Sequence, residues 1–266
     1  VRTFWITLLA VVTFAVIVLA RLPASWVVPA PPAAVSCAAV DGTIWNGVCT
    51  GLTVDGKPTG DVVWELHASG LLRGKIDAHV VLTKAAGTAS PGALSPANLT
   101  SLTAAPAITV RADVEAGLDK NITARNVVAD LPLDPSIVPN IPPTLRGSVH
   151  ADLASVRVEK GIVTQLQGKV EAHDLEDRSG NVTRLGSYSL TFPPSSGAEP
   201  TGQLHDLGDG PLVVEGTLRL TREPGFDLEG LVKPRPTAPA ELQQNIQYLG
   251  SPDAQGRRPF SLAGTF

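Results

Sequence analysis

Leu72-Arg73-Gly74-Lys75-Ile76-Asp77-Ala78-His79-Val80-Val81-Leu82 decides the fold class. Leu72, Gly74, Ile76, Ala78, Val80 and Leu82 fall on one face, and Arg73, Lys75, Asp77 and His79 on the other. A period of two is that of a β-strand with one face buried and one wet. The pattern returns downstream, where Ile108, Val110, Ala112, Val114, Ala116 and Leu118 oppose Thr109, Arg111, Asp113 and Glu115. Further strands are expected at 145–153, 162–172, 187–192, 212–220, 226–232 and 260–266, separated by Gly, Pro, Asp and Asn. With 25 Gly and 23 Pro, 5% aromatics and no Met, the composition suits many short strands joined by tight turns.

Within the strands an apolar-x-Gly-x-apolar phrase recurs around Gly74, Gly147, Gly168, Gly216 and Gly230, each glycine on the apolar face. A missing side chain there admits a close neighbouring backbone or a bend. The expectation is a mainly β chain whose antiparallel sheet is strongly curved, with one or two short helices; relief of crowding in an ordinary sandwich is the alternative. One helix is expected from Pro239 to Leu249, with Leu242, Ile246 and Leu249 on one side and Gly250 as its stop. A shorter one would open at Asp134-Pro135. Residues 85–106 and 193–202 read as long surface loops.

Upstream, Thr3 to Ala20 carries no charge, and Arg2 and Arg21 bracket it, with Trp5 and Trp26 near its two ends. Such a run suffices to span a bilayer as a helix. A cleaved signal peptide is the competing reading, since Val18-Leu19-Ala20 has acceptable small-residue spacing. The organisation expected is a short start at 1–2, an anchor at 3–20, a linker at 21–34 and one β-rich body at 35–266. Cys37 and Cys49 lie in a stretch read as strand, Asp41-Gly42 turn and strand, so they can meet across a hairpin. In an oxidising compartment they would form a disulfide; two buried thiols are the alternative.

Chemistry-bearing patterns are lacking. His67, His79, His150, His173 and His205 show neither metal-ligand nor triad spacing, and Asp174-Leu175-Glu176-Asp177 lacks the rhythm of a calcium loop. No nucleophile elbow, phosphate loop or dinucleotide fingerprint is present. No catalytic, cofactor or metal residues are assigned, and an enzyme is not expected. A net charge of -4 from 21 basic and 25 acidic residues, without a basic cluster, argues against a nucleic-acid partner.

Asp41-Gly42-Thr43-Ile44-Trp45-Asn46-Gly47, soon after the apolar segment, resembles the Gly-Thr-apolar-Trp-Asn-Gly signature of the type II secretion system protein N family. Leu249-Gly250-Ser251-Pro252-Asp253-Ala254-Gln255-Gly256-Arg257, followed by Phe260-Ser261-Leu262-Ala263-Gly264, resembles that family's ending. The resemblance implies a single-pass inner-membrane protein with its bulk in the periplasm. It also implies an accessory structural role in exporting folded proteins across the outer membrane. Partners would be other secretion components, the inner-membrane platform and the secretin among them. A more distant similarity to AsmA-like proteins implies the alternative of a lipid- or hydrophobic-ligand-binding protein. The turn holding Gly42, Trp45, Asn46 and Gly47 is then either a partner contact or an ordinary core anchor, its glycines supplying unusual backbone angles.

Overall fold

The alternation that follows Leu72 is a strand in the computed structural model, but it starts later than expected. The structure describes residues 2–26, 35–71, 73–84, 108–117, 119, 121–133, 141–194, 199–223 and 225–265. The long loop at 85–106, the helix at Asp134-Pro135, Leu72, Leu118 and most of the 21–34 linker lie outside them. The chain forms two compact units, residues 1–106 and 107–266.

The first unit opens with α1 (Arg2–Ala20) and a 3-10 turn at Ala24–Trp26. Then come β1 (Val35–Ser36), β2 (Ala39–Gly42), β3 (Asn46–Val54), β4 (Lys57–His67), the one-turn helix α2 (Ala68–Leu71) and β5 (Lys75–Lys84). Arg73 and Gly74 form the turn between α2 and β5, with Gly74 N–H donating to Leu71 O at 3.0 Å. Gly74 is therefore a turn glycine and not part of the strand. The antiparallel order is β1-β3-β4-β5, and β2 also pairs β3. β1 lies along the far half of β3 (Ser36 opposite Thr53) and β2 along its near half (Ala39 opposite Thr50). Cys37 falls in the break between them. α1 is helical over 19 residues. Several of its side chains are outside the described set, and among the described residues no helix is long and apolar enough to cross a membrane.

The second unit is an antiparallel meander: β6 (Ile108–Gly117), β7 (Ile122–Pro132), β8 (Leu145–Glu159), β9 (Ile162–Asp177), β10 (Thr183–Phe192), β11 (Thr201–Asp206), β12 (Leu212–Leu220), β13 (Gly225–Pro234) and β14 (Arg258–Thr265). Each strand pairs only with its neighbours in the chain. α3 (Ala240–Gln247) sits between β13 and β14 in sequence, where a helix was expected. Its Ile246 is buried with Val214 and Val232, and Leu242, Leu249, Tyr188, Leu204, Leu212 and Phe260 pack around them. The helix periodicity thus turns an apolar stripe onto the β10–β14 end of the sheet.

Beside this core lies a polar lock. Arg235 pairs with Asp206 and donates from Nε to Gly210 O at 3.1 Å, while Asp206 Oδ1 accepts Val214 N–H at 2.8 Å. Asp209 accepts both the N–H and the hydroxyl of Ser187, and these bonds hold its carboxyl below the usual range. Tyr188 donates to Leu185 O at 2.8 Å, and burial pushes its phenol up to about 12, with the Asp206 and Asp209 charges adding to the shift. The unfolded phenol titrates near pH ~10. Stability held by the neutral phenol is therefore complete below pH ~10 and is lost as pH rises through about 12. Its full extent is about 2–3 kcal/mol. Ultraviolet titration of the two tyrosines should show Tyr188 ionising late, and a Tyr188→Phe variant should remove that late step. A titration finished by pH ~11 would contradict the buried phenol.

Candidate functional site

The β2–β3 hairpin reverses at Thr43–Asn46, not at Asp41-Gly42, which closes β2. Thr43 N–H donates to Asn46 O at 2.9 Å, Asn46 N–H donates to Thr43 O at 3.2 Å, and Gly42 faces Gly47 across the ladder. Gly42 adopts φ +92°, and a Cβ there would stand 2.4 Å from Asn46 O, so this position demands glycine. Gly47 acts differently from expectation. Its φ is ordinary, and its missing Cβ makes room for the ring of Trp64, whose Cζ2 would otherwise lie 2.4 Å away. Trp64 in turn donates from Nε1 to Ile44 O at 3.1 Å.

Trp45 is half-buried, and its partner is the end of α1. Its Nε1 donates to Leu19 O at 2.8 Å, and its own carbonyl accepts Leu66 N–H. Ile44 N–H donates to Leu22 O at 3.0 Å, and Pro23 bridges Thr43 in antiparallel sense. The last carbonyls of a helix have no partner within it. Here the hairpin tip supplies one. The side chain of Asn46 is exposed beside the ring. Trp45 is therefore an internal fastener between hairpin and helix. Leu19, Ala20, Thr43, Trp45 and Ala68 line an open recess of ≈ 480 Å³ at this junction.

At the other end of the hairpin, Cys37 and Cys49 are joined by a disulfide with Cα atoms 5.6 Å apart. The bond closes the break between β1 and β2, where Gly51 turns the facing strand with φ +63° beside Ala38. Cys49 is buried.

The register gives the histidines partners that the sequence order conceals. His67 lies opposite Asp77, His79 opposite Glu65, and His205 opposite Glu215. His150 lies between Asp130 and Glu171, with its Nδ1 2.6 Å from Asp130 Oδ1. His173 Nε2 is 3.5 Å from Glu171 Oε2. All but the last of these pairs lie across neighbouring strands, where side chains directly opposite interact; His173 and Glu171 are two residues apart on β9. Asp174-Leu175-Glu176-Asp177 closes β9. Asp177 accepts Ser179 N–H at 3.0 Å, and its carboxyl is lowered chiefly by a hydrogen bond from Thr144. Among the described residues no group of three or more His, Cys, Asp or Glu is placed to hold a metal ion.

Residues 33–261 match the family model described as "Type II secretion system (T2SS), protein N". The chain is 24% identical over 265 residues to type II secretion system protein N of Vibrio cholerae serotype O1, covering 93% of this chain and 92% of that relative. It is 25% identical over 267 residues to the protein of that name from Aeromonas hydrophila, covering 97% of each. A shorter stretch of 36 residues is 44% identical to the Aeromonas salmonicida protein, covering 14% of this chain and 77% of that relative. No solved structure matches.

Proposed function

Because the chain belongs to the type II secretion system protein N family, we propose that it is an inner-membrane-anchored structural component of the type II secretion apparatus. It supports export of folded proteins across the outer membrane by holding its β-body in the periplasm against other components, with the inner-membrane platform and the secretin as partners. The observation that carries this reading is the family match over residues 33–261. The uncharged run from Thr3 to Ala20 supports a single span, and a disulfide at Cys37–Cys49 suits an oxidising periplasm. Scaffolding requires no catalytic group.

The strong curvature expected of the sheet belongs to the same reading. In residues 107–266 the register shifts at Arg146/Ser148, Leu153/Ser155 and Arg184/Gly186, and each such bulge adds local bend and twist.

Deleting the chain should leave type II substrates in the periplasm, and cross-linking the intact chain in membranes should recover platform proteins. Normal export together with recovery of no secretion component would overturn the assignment.

A second reading, binding of lipid or another hydrophobic ligand, draws on one row of the sheet. Val110, Ala129, Ala151, Val170, Leu190, Leu204, Gly216 and Gly230 succeed one another across neighbouring strands and end at Phe260. Small residues in such a row leave space over the backbone, and at Gly230 the Phe260 ring fills it, 2.8 Å from where a Cβ would stand. Retention of phospholipid by the purified chain in native mass spectrometry would support it, and its absence would count against it.

A further inference from the structure

We propose that the Trp45 turn and the end of α1 form a seat for the bilayer interface, so that phospholipid headgroups and glycerol backbones pack directly against the hairpin tip. The inference rests on the anchored reading of α1 and adds to it where, and with which residues, the body meets the membrane.

Three observations lead there. From Arg2 to Arg21 a helix rises about 28 Å, close to the ~30 Å hydrocarbon thickness of a bilayer. Leu19 to Arg21 would then lie at its boundary. The hairpin tip is fixed at that same level by three backbone or indole contacts: Trp45 Nε1 to Leu19 O, Ile44 N–H to Leu22 O, and the Pro23–Thr43 bridge. These contacts tie the tip directly to the end of the helix, so a helix inserted to Arg21 brings the tip to the headgroups. The surface at this level also has the chemistry of an interface. Trp26 is 77% exposed and Leu71 52% exposed, Arg21 is exposed, and the recess lined by Leu19, Ala20, Thr43, Trp45 and Ala68 is mainly apolar. An indole with an apolar body and a polar N–H suits the boundary between tails and headgroups. Trp45 spends its N–H on the helix, and its ring lines the recess. The occupant that fits is lipid, because the recess continues the surface of the segment read as spanning the bilayer.

The test uses the whole chain in phospholipid vesicles with one spin label at a time, on cysteines introduced as Thr13→Cys, Asn46→Cys or Asp55→Cys. The native cysteines are engaged with each other and do not take the label. Thr13 is within α1, Asn46 is at the hairpin tip, and Asp55 is beyond the far end of the nine-residue β3, about 30 Å away. Collision with oxygen against a water-soluble nickel complex reads depth. The expected result is label 13 in hydrocarbon, label 46 at headgroup depth and label 55 in water. In the Asn46→Cys background, Trp45→Phe keeps an aromatic ring but removes the bond to Leu19, and should shift label 46 toward water. If label 13 is in hydrocarbon while label 46 is as wet as label 55, the seat is wrong and the anchor stands. If label 13 is itself in water, the anchored reading fails and the seat with it.

Discussion

Replacing Gly168 with valine is expected to destabilise residues 107–266 by about 3 kcal/mol or more. Gly168 sits in β9 at φ +136°, opposite Leu153 and beside the register shift at Leu153/Ser155. A Cβ built there would stand 2.4 Å from Asp152 O and 2.5 Å from Leu153 Cα. Both atoms are backbone, so no side chain can rotate away, and relief requires the β8–β9 ladder to separate. Two costs therefore act together: a backbone conformation that L-residues avoid and a steric demand on the longest pair of strands. Gly180 provides the control, since nothing lies within 4 Å of its missing Cβ. Gly180→Ala should change stability by less than ~0.5 kcal/mol. Urea unfolding followed by circular dichroism separates the two. A Gly168→Val midpoint equal to that of Gly180→Ala would show that the bulge relaxes freely.

Loss of the disulfide is the second large effect. Cys37 and Cys49 are 12 residues apart, and a cross-link closing a loop of that size stabilises by about 3 kcal/mol in the chain-entropy account. The structural reason for a local effect is equally direct. β1 has only two residues on β3, too few to hold themselves there, and Cys37 follows immediately after them. A Cys37→Ser, Cys49→Ala variant should lower the melting of the first unit, and dithiothreitol should lower wild-type melting to the same point. At about 4–8 °C per kcal/mol for a unit of this size, the shift is easily read. A wild-type transition indifferent to reductant would show that the bond contributes nothing.

The strands that could be read from sequence were those whose alternation ran uninterrupted. β12 has the expected bounds, while β6 and β13 differ from theirs by no more than two residues at either end. β7 escaped notice because Asn126 enters the left-handed region at φ +51°. The ladder slips there between Arg111 and Asp113, and the apolar residues change phase. β4 was hidden by Pro58 and Gly60 near its start, two residues that ordinarily end strands. α3 was legible because Leu242 and Ile246, with Leu249 just beyond its end, had a helical spacing and a core to meet.

At the candidate site, the importance of Trp45 was visible in its motif, but its contact was not. The bond to Leu19 spans 26 residues, and no local pattern reports a hydrogen bond to a backbone carbonyl so distant. In the sequence, Asp41-Gly42 is a strong reversal signal. The chain instead uses Gly42 to end a strand and reverses over the next four residues. The histidine–carboxylate pairs were invisible for another reason, since they depend on strand register, which single-strand alternation leaves open.

The neighbour-to-neighbour pairing of β6 through β14 bears on how the protein comes into being. Contacts between segments close in sequence form early and fast, because little chain entropy is lost in closing short loops. A polypeptide emerging N-terminus first can therefore lay down each strand on the one before it. No strand of the meander need wait, edge exposed, for a partner that has yet to emerge, and the interval in which bare edges could join those of another chain is kept short.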